Sequence, residues 1–202
     1  MINLKTEAFS HVSYKNWAHN MVNNRQHKKI LFTGPVGVGK TTAIQTMSDV
    51  DVITTDEDAS DMTKKRKSQT TVTMDYGYMN IGEKERIHLY GTPGQERFDF
   101  MWDILKNGAL GLVLLIDNSR KNPQQDLKFY TESFKDFIAS GELVIGITKA
   151  DENTNPTIDD YRQWLTKLSI NAPIFSIDSR EKTDVSSLIQ ALLYSMDPGV
   201  AA

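Results

Sequence analysis

Two short segments carry residue types whose spacing can do chemistry on a phosphorylated ligand. Gly34-Pro35-Val36-Gly37-Val38-Gly39-Lys40-Thr41 has the pattern GxxxxGK[ST]. In that pattern the glycines let successive backbone N–H groups point into one concavity, which is an anion site. Lys40 sets a positive charge on the β- and γ-phosphates of a nucleotide, and the Thr41 hydroxyl is a hard oxygen ligand for Mg²⁺. The candidate phosphate-binding residues are Gly34, Val36, Gly37, Val38, Gly39, Lys40, Thr41 and Thr42. The second segment, Thr148-Lys149-Ala150-Asp151, can read a base. Guanine presents two adjacent donors, N1–H and N2–H, and a carboxylate offers two acceptors at the matching spacing. Adenine has no such pair and would turn an acceptor toward Asp151. Lys149 can lay its alkyl stem over the base plane. Downstream, the loop Ser176-Ile177-Asp178-Ser179-Arg180 is placed to be the other base-facing wall, with a backbone N–H from Ser179 for the guanine carbonyl. Thr148, Lys149, Asp151, Ser179 and Arg180 are therefore the candidate guanine-binding residues.

These segments need strands and helices to hold them, and the pattern supplies both. Residues 29–33 read as a buried strand ending in the glycine-rich turn, and residues 41–47 begin a helix. Residues 70–80 and 86–90 read as the two strands of a hairpin with a turn at 81–84. Residues 95–106 read as a helix, 110–116 as a buried strand, and 123–139 as one long helix with Pro123 at its start and Gly141 beyond its end. Strands at 143–147 and 173–177 and helices at 158–168 and 185–196 follow. Leu112 to Ile116 is apolar at consecutive positions, as in parallel strands covered on both faces. The expected fold class is α/β, a P-loop NTPase three-layer sandwich with a six-stranded, mostly parallel sheet and one antiparallel strand.

Composition narrows the class further. The chain has 202 residues, 39% hydrophobic and 24% charged, with a net charge of −3, the profile of a globular protein and not of a disordered or fibrous one. It has no cysteine, which removes disulfides, cysteine zinc sites and thiol catalysis. The overall charge gives no reason to expect a nucleic-acid partner. The longest apolar-plus-glycine run, residues 109–116, is far short of a membrane span. With no signal-like or lipidation segment in view, the expectation is a cytoplasmic protein. Charge is uneven, however. Lys5, Lys15, Arg25, Lys28 and Lys29 face Glu7 alone in the first 29 residues, and Tyr14, Trp17 and Met21 suit an amphipathic helix. The expected organisation is a basic, partly helical extension over residues 1–27, a nucleotide-binding domain over 28–197 and a short tail over 198–202.

The P-loop, the hairpin, then Gly91-Thr92-Pro93-Gly94-Gln95-Glu96-Arg97-Phe98, then Thr148-Lys149-Ala150-Asp151, in that order, resemble the Ras-like small GTPases. The wording around Gln95 is most similar to bacterial motility and polarity switches that work with Roadblock-type partners. The resemblance covers about residues 28–197. It implies that the loop before Thr71 is switch I and residues 92–105 are switch II. It further implies that Thr71 brings its hydroxyl to Mg²⁺ and its N–H to the γ-phosphate, with Thr70 and Thr73 as competitors for that role. Gly94 would donate to the γ-phosphate, and Gln95 would orient the attacking water. The implied catalytic set is Gln95, Lys40 and Thr71, the metal ligands Thr41 and Thr71, the cofactors Mg²⁺ and GTP or GDP. The implied partners are protein effectors and regulators, including a GTPase-activating protein and a Roadblock-type protein.

Three departures from the family matter. Gly91 stands where the family has an Asp whose carboxylate holds a water on Mg²⁺. Asp75, or an acid of the patch Asp56, Glu57, Asp58 and Asp61, is a candidate replacement. Val36 stands where the family commonly has Gly, and its branched side chain crowds the space that Gln95 or a partner's arginine enters, so slow intrinsic turnover is expected. The stretch from Thr41 to Thr71 is long, and Val52-Ile53-Thr54 in it can form an additional strand. Among the remaining polar and aromatic residues, Asp117-Asn118-Ser119 reads as a loop-initiating cluster, His88 as a strand residue and Arg97 as an ion-pair partner. Phe98, Phe100, Met101 and Trp102 read either as helix core or as a partner surface. Two further functional classes stay open beside the switch: a GTP-binding scaffold that does not hydrolyse, and an ATP-using P-loop enzyme, against which Asp151 argues.

Overall fold

The computed structural model describes residues 29–54, 74–81, 85–95, 99–140 and 142–196. The basic extension over residues 1–27, the tail over 198–202, the acidic patch at 56–61, Thr70, Thr71 and Thr73, and Arg97 and Phe98 lie outside the described residues.

Ile30, Leu31 and Phe32 are apolar at consecutive positions, so this strand has to be covered on both faces. It is β1 (Lys29–Thr33), the middle strand of a seven-stranded sheet. The other strands are β2 (Ile53–Thr54), β3 (Asp75–Ile81), β4 (Glu85–Gly91), β5 (Ala109–Asp117), β6 (Glu142–Thr148) and β7 (Ile174–Ile177), in the order β2-β3-β4-β1-β5-β6-β7. Only β3 runs against the rest, pairing antiparallel with both β2 and β4. The helices among the described residues are α1 (Lys40–Met47), α2 (Asp99–Lys106), α3 (Pro123–Ser133), α4 (Lys135–Ser140), α5 (Ile158–Lys167) and, after the last strand, α6 (Lys182–Ser195).

The period-2 alternation of β1 divides the interior into two layers. Ile30 and Phe32 join Ala43, Ile44 and Met47 of α1 and Leu188, Leu192 and Leu193 of α6 in one core. Leu31 joins Trp102 and Leu105 of α2, Leu127 and Tyr130 of α3 and Tyr161 and Leu165 of α5 in the other. The architecture is therefore the three-layer P-loop NTPase sandwich that the sequence implies.

Two expectations need correction. The sheet has seven strands, not six, because Ile53 and Thr54 pair antiparallel with Tyr76 and Asp75. The long connection after α1 has the length to lay that strand, and it also closes the rest of the β3 edge. Asp49 N donates to Tyr78 O at 2.8 Å, and Asn80 N donates to the Asp49 carboxylate at 2.7 Å, so edge groups are satisfied within the chain. The helix expected over 123–139 is broken at Phe134, which has φ −105° and ψ 14°. Thr131 and Ser133 donate their hydroxyls to carbonyls one turn back, a bond that bends helices. The bend seats the Phe134 ring against Trp102, with centroids 5.2 Å apart. Pro123 does start the helix as expected, and the Asn122 side chain caps it by accepting from Gln125 N.

Candidate functional site

β1 ends at the sheet's C-terminal edge, and the chain turns through residues 34–39 into α1. The turn requires glycine at Gly34. Its φ is +138°, and a Cβ there would lie 2.2 Å from the Leu115 carbonyl oxygen. Gly39 caps α1 with no side-chain hydrogen bond, so the first-turn N–H groups of α1 remain available to an anion. Val38 is buried, and Val36 stands 60% exposed at the tip of the turn. Lys40 folds back over the turn and donates to Gly34 O at 2.8 Å and Pro35 O at 2.9 Å. Burial pulls its ammonium down to about 8, against the nearby Asp75 charge, which acts to raise it.

Beside this cradle the structure locates a carboxylate. Asp75 is buried, accepts from the Thr41 hydroxyl at 2.6 Å through Oδ2, and accepts from the Thr54 hydroxyl at 2.9 Å through Oδ1. In the β3–β4 register it sits directly opposite Gly91. A Cβ at position 91 would come within 2.9 Å of Asp75 Oδ2 and 3.0 Å of its Cβ. The missing side chain at Gly91 is thus the space that Asp75 fills from the neighbouring strand. Among the described residues no three His, Asp or Glu side chains converge as a metal cage. The Thr41 hydroxyl and the Asp75 carboxylate are nevertheless hard oxygens, and they suit Mg²⁺, which takes few protein ligands and draws the rest from phosphates and water.

The segment after β4 is pinned at several points. Thr92 N donates to Phe32 O, its hydroxyl donates to the Thr33 hydroxyl at 2.8 Å, Trp102 Nε1 donates to Pro93 O, and the Tyr130 hydroxyl donates to Gly94 O. Gly94 consequently lies against the turn, close to Lys40 Nζ and Val36 N. Gln95 is exposed next to it, and the helix expected from residue 95 is described from Asp99 onward. In α2, Trp102 is core, as one expected use has it, while Phe100 and the neighbouring Ile104 are 55% and 62% exposed. His88 is a strand residue, as expected, sharing a 2.9 Å hydrogen bond with the Tyr76 hydroxyl.

The two halves of the candidate set, more than a hundred residues apart in sequence, meet in one cleft of about 280 Å³. Gly37, Val38, Gly39 and Thr42 line one side, and Thr148, Lys149, Asp151, Ser179 and Arg180 line the other. Asp151 is exposed and has no hydrogen-bond or ion-pair partner among the described residues. Ser179 holds a buried hydroxyl with no partner among the described residues, next to Gly39, while its carbonyl accepts from Thr46 at 2.8 Å. Arg180 is paired with Asp178, whose carboxyl that guanidinium holds down at about 2. Lys149 has φ +55° and donates to Asp117 at 2.6 Å. Burial alone would raise the Asp117 carboxyl, but hydrogen bonds from Lys149 and Ser119 hold it below the usual carboxylate range. Asp117 does start its loop as expected, through Ser119. Its reach to Lys149 was not legible, since it depends on β5 and β6 being neighbours.

A mostly parallel sheet with an anion-binding turn between its middle strand and a helix, and a second loop pair closing the same cleft, defines a P-loop nucleotide-binding domain. A family model described as "Conserved hypothetical ATP binding protein" matches residues 48–192, and the chain belongs to that family. A model of the Rad17 P-loop domain matches residues 9–85, which include the glycine-rich turn. The chain is similar to an uncharacterized protein of Methanocaldococcus jannaschii, 31% identical over 98 residues, 48% of this chain and 56% of that protein. It thus spans little more than half of that relative's length. It is also similar to human Ras-related protein Rab-8B, 25% identical over 163 residues, 78% of this chain and 72% of that protein. Ras-related protein Rab-13 of Canis lupus familiaris is 23% identical over 169 residues, 81% of this chain and 77% of that protein.

Proposed function

We propose that this chain is a guanine-nucleotide switch that hydrolyses GTP to GDP and phosphate, slowly on its own, and presents its switch surfaces to protein partners. The observation that carries the reading is the exposed Asp151 carboxylate, without a hydrogen-bond partner among the described residues, in the same cleft as the phosphate turn. The similarity to Ras-related proteins supports it. The nucleotide-binding unit is taken to span residues 28–197, in a cytoplasmic setting. The family description speaks for an adenine nucleotide. Equilibrium dialysis of the pure protein with GDP and ADP separates the two, and equal affinity would remove the guanine reading. Melting shifts with GTP, a non-hydrolysable GTP analogue and ATP, each with and without Mg²⁺, extend the comparison.

On this reading, turn amides and Lys40 hold the β- and γ-phosphates, Gly94 donates its N–H to the γ-phosphate, and Thr71 holds switch I in the GTP state. Thr41 and Thr71 would hold Mg²⁺, with Asp75, bonded to the Thr41 hydroxyl, supplying the carboxylate that Gly91 lacks to orient a water of the ion; when bound, the ion neutralises charge developing on the phosphates. Gln95 orients water for in-line attack on the γ-phosphorus. Val36 crowds that approach, so a single-turnover assay is expected to give a rate far below that of a partner-stimulated enzyme, by about 10³–10⁵. Phosphate release matching a stimulated GTPase would contradict this, and none over hours with any partner would favour the non-hydrolysing scaffold. Exposed Phe100 and Ile104 suit an effector or activating protein, a Roadblock-type protein among the candidates.

Asp75→Ala is expected to weaken Mg²⁺ binding to the GTP complex by about 10–100-fold, with nucleotide affinity in chelator little changed. A titration that leaves Mg²⁺ affinity intact would transfer the role to another acid.

Lys40 also makes binding pH-dependent. Its value near 8 in the free protein rises when phosphates face it, so binding takes up a proton near pH 8–9 and affinity falls as pH climbs through that range. Calorimetry in two buffers of different ionisation enthalpy reads the proton directly. Folding runs the other way. Between about 8 and the ordinary 10.5 the unfolded chain binds the extra proton, so the nucleotide-free protein gains stability with rising pH.

A further inference from the structure

At the end of β5, two buried residues outside the binding set reach across to the loop that carries Asp151. Asp117 is 4% exposed and accepts three hydrogen bonds: from Lys149 Nζ at 2.6 Å, from the Ser119 hydroxyl at 2.6 Å and from Ser119 N at 2.9 Å. Asn118 donates its backbone N–H to Thr148 O at 2.9 Å and accepts from the Tyr161 hydroxyl of α5 at 2.8 Å. Its carbonyl accepts from the Asn153 side chain at 3.1 Å. The loop is therefore tied to β5 at its start, at Lys149 and at its end. Between the ties, Lys149 is held in the left-handed region, which a residue with a Cβ adopts reluctantly and keeps only where its surroundings over-determine it. An ion pair that served stability alone needs no such backbone. Asp117 itself does not line the cleft, whereas Lys149 does.

We propose that Asp117 is a positioning residue for base recognition: it holds the Lys149 ammonium, draws the alkyl stem across the cleft wall where the purine plane lies, and fixes the start of the loop whose Asp151 meets the base edge. This rests on the guanine-nucleotide reading above. Because Asp117 acts through Lys149, it bears on the base end of a ligand and not on the phosphate end.

The test measures binding of GDP, ADP and inorganic pyrophosphate to the full chain, its Asp117→Asn and Lys149→Met variants, and the double variant. Asp117→Asn is expected to weaken GDP on the order of tenfold, since a charge-assisted hydrogen bond is lost. Pyrophosphate, which uses the phosphate turn alone, should stay within about twofold, and the double variant should be no weaker than Lys149→Met within the same margin. Equal losses for GDP and pyrophosphate, fully additive losses in the double variant, or unchanged GDP affinity each overturn the proposal. A wild-type chain that prefers GDP to ADP beside an indifferent Asp117→Asn overturns this proposal alone. A wild-type chain without that preference overturns the guanine reading and this proposal together. Should Asp117→Asn fail to fold, Lys149→Met at its half-buried site still bears on the proposal: undiminished GDP affinity overturns it.

Discussion

Replacing Lys40 by alanine is expected to weaken GTP binding by about 2–5 kcal/mol, because a buried, hydrogen-bonded charge facing the phosphates is removed. That corresponds to roughly 30- to 5,000-fold in affinity. The free protein should not suffer in proportion. Its ammonium is already displaced to about 8 by burial, so the folded state carries a charge it desolvates at a loss. The expected pattern is a nucleotide-free melting temperature equal to or above that of the parent, with the GTP-induced rise abolished. A variant that melts early and binds GTP normally would mean that Lys40 is a structural residue clamping the carbonyls of Gly34 and Pro35.

Asp151→Asn is the other large effect. It places an amide –NH₂ where one carboxylate oxygen stood, so one guanine donor meets a donor. Sites built around such bonds discriminate strongly when a partner is left unpaired, and a fall in GDP affinity of at least about 10²-fold is expected. Xanthine carries a carbonyl in place of the guanine 2-amino group, so its N1–H and O2 match the oxygen and nitrogen of the new amide. Xanthosine diphosphate should accordingly bind the variant better than GDP does, and the parent worse. Competition with a fluorescent nucleotide reads both numbers. If the order of the two ligands does not change between parent and variant, Asp151 is not the group that reads the base edge.

The phosphate turn was legible because its chemistry is local. Gly34, Gly39 and Lys40 lie within seven residues, and a turn followed by a helix needs nothing from the rest of the chain. The middle strands were legible for a similar reason, since Leu112 to Ile116 has no polar face to show to water. The broken helix at Phe134 was not, because each residue from 123 to 139 tolerates a helix. The bend comes from hydroxyls bonding backward and from a ring that has to meet Trp102. Asp75 was one of several candidate acids in the sequence, all of them without a way to rank their distances to Thr41.

Motifs and apolar periodicity name the turn, the base-reading loop and the strands between them, since those depend on neighbours along the chain. Cross-strand register settles the rest. Asp75 faces Thr41 because β3 pairs with β4 so that Gly91 lies opposite and leaves the room. Lys149 meets Asp117 because β5 and β6 run side by side with Asp117 level with Thr148. Sliding either pair by one residue would turn these carboxylates to the other face of the sheet, and nothing within a few residues of Asp75 or Asp117 states that register.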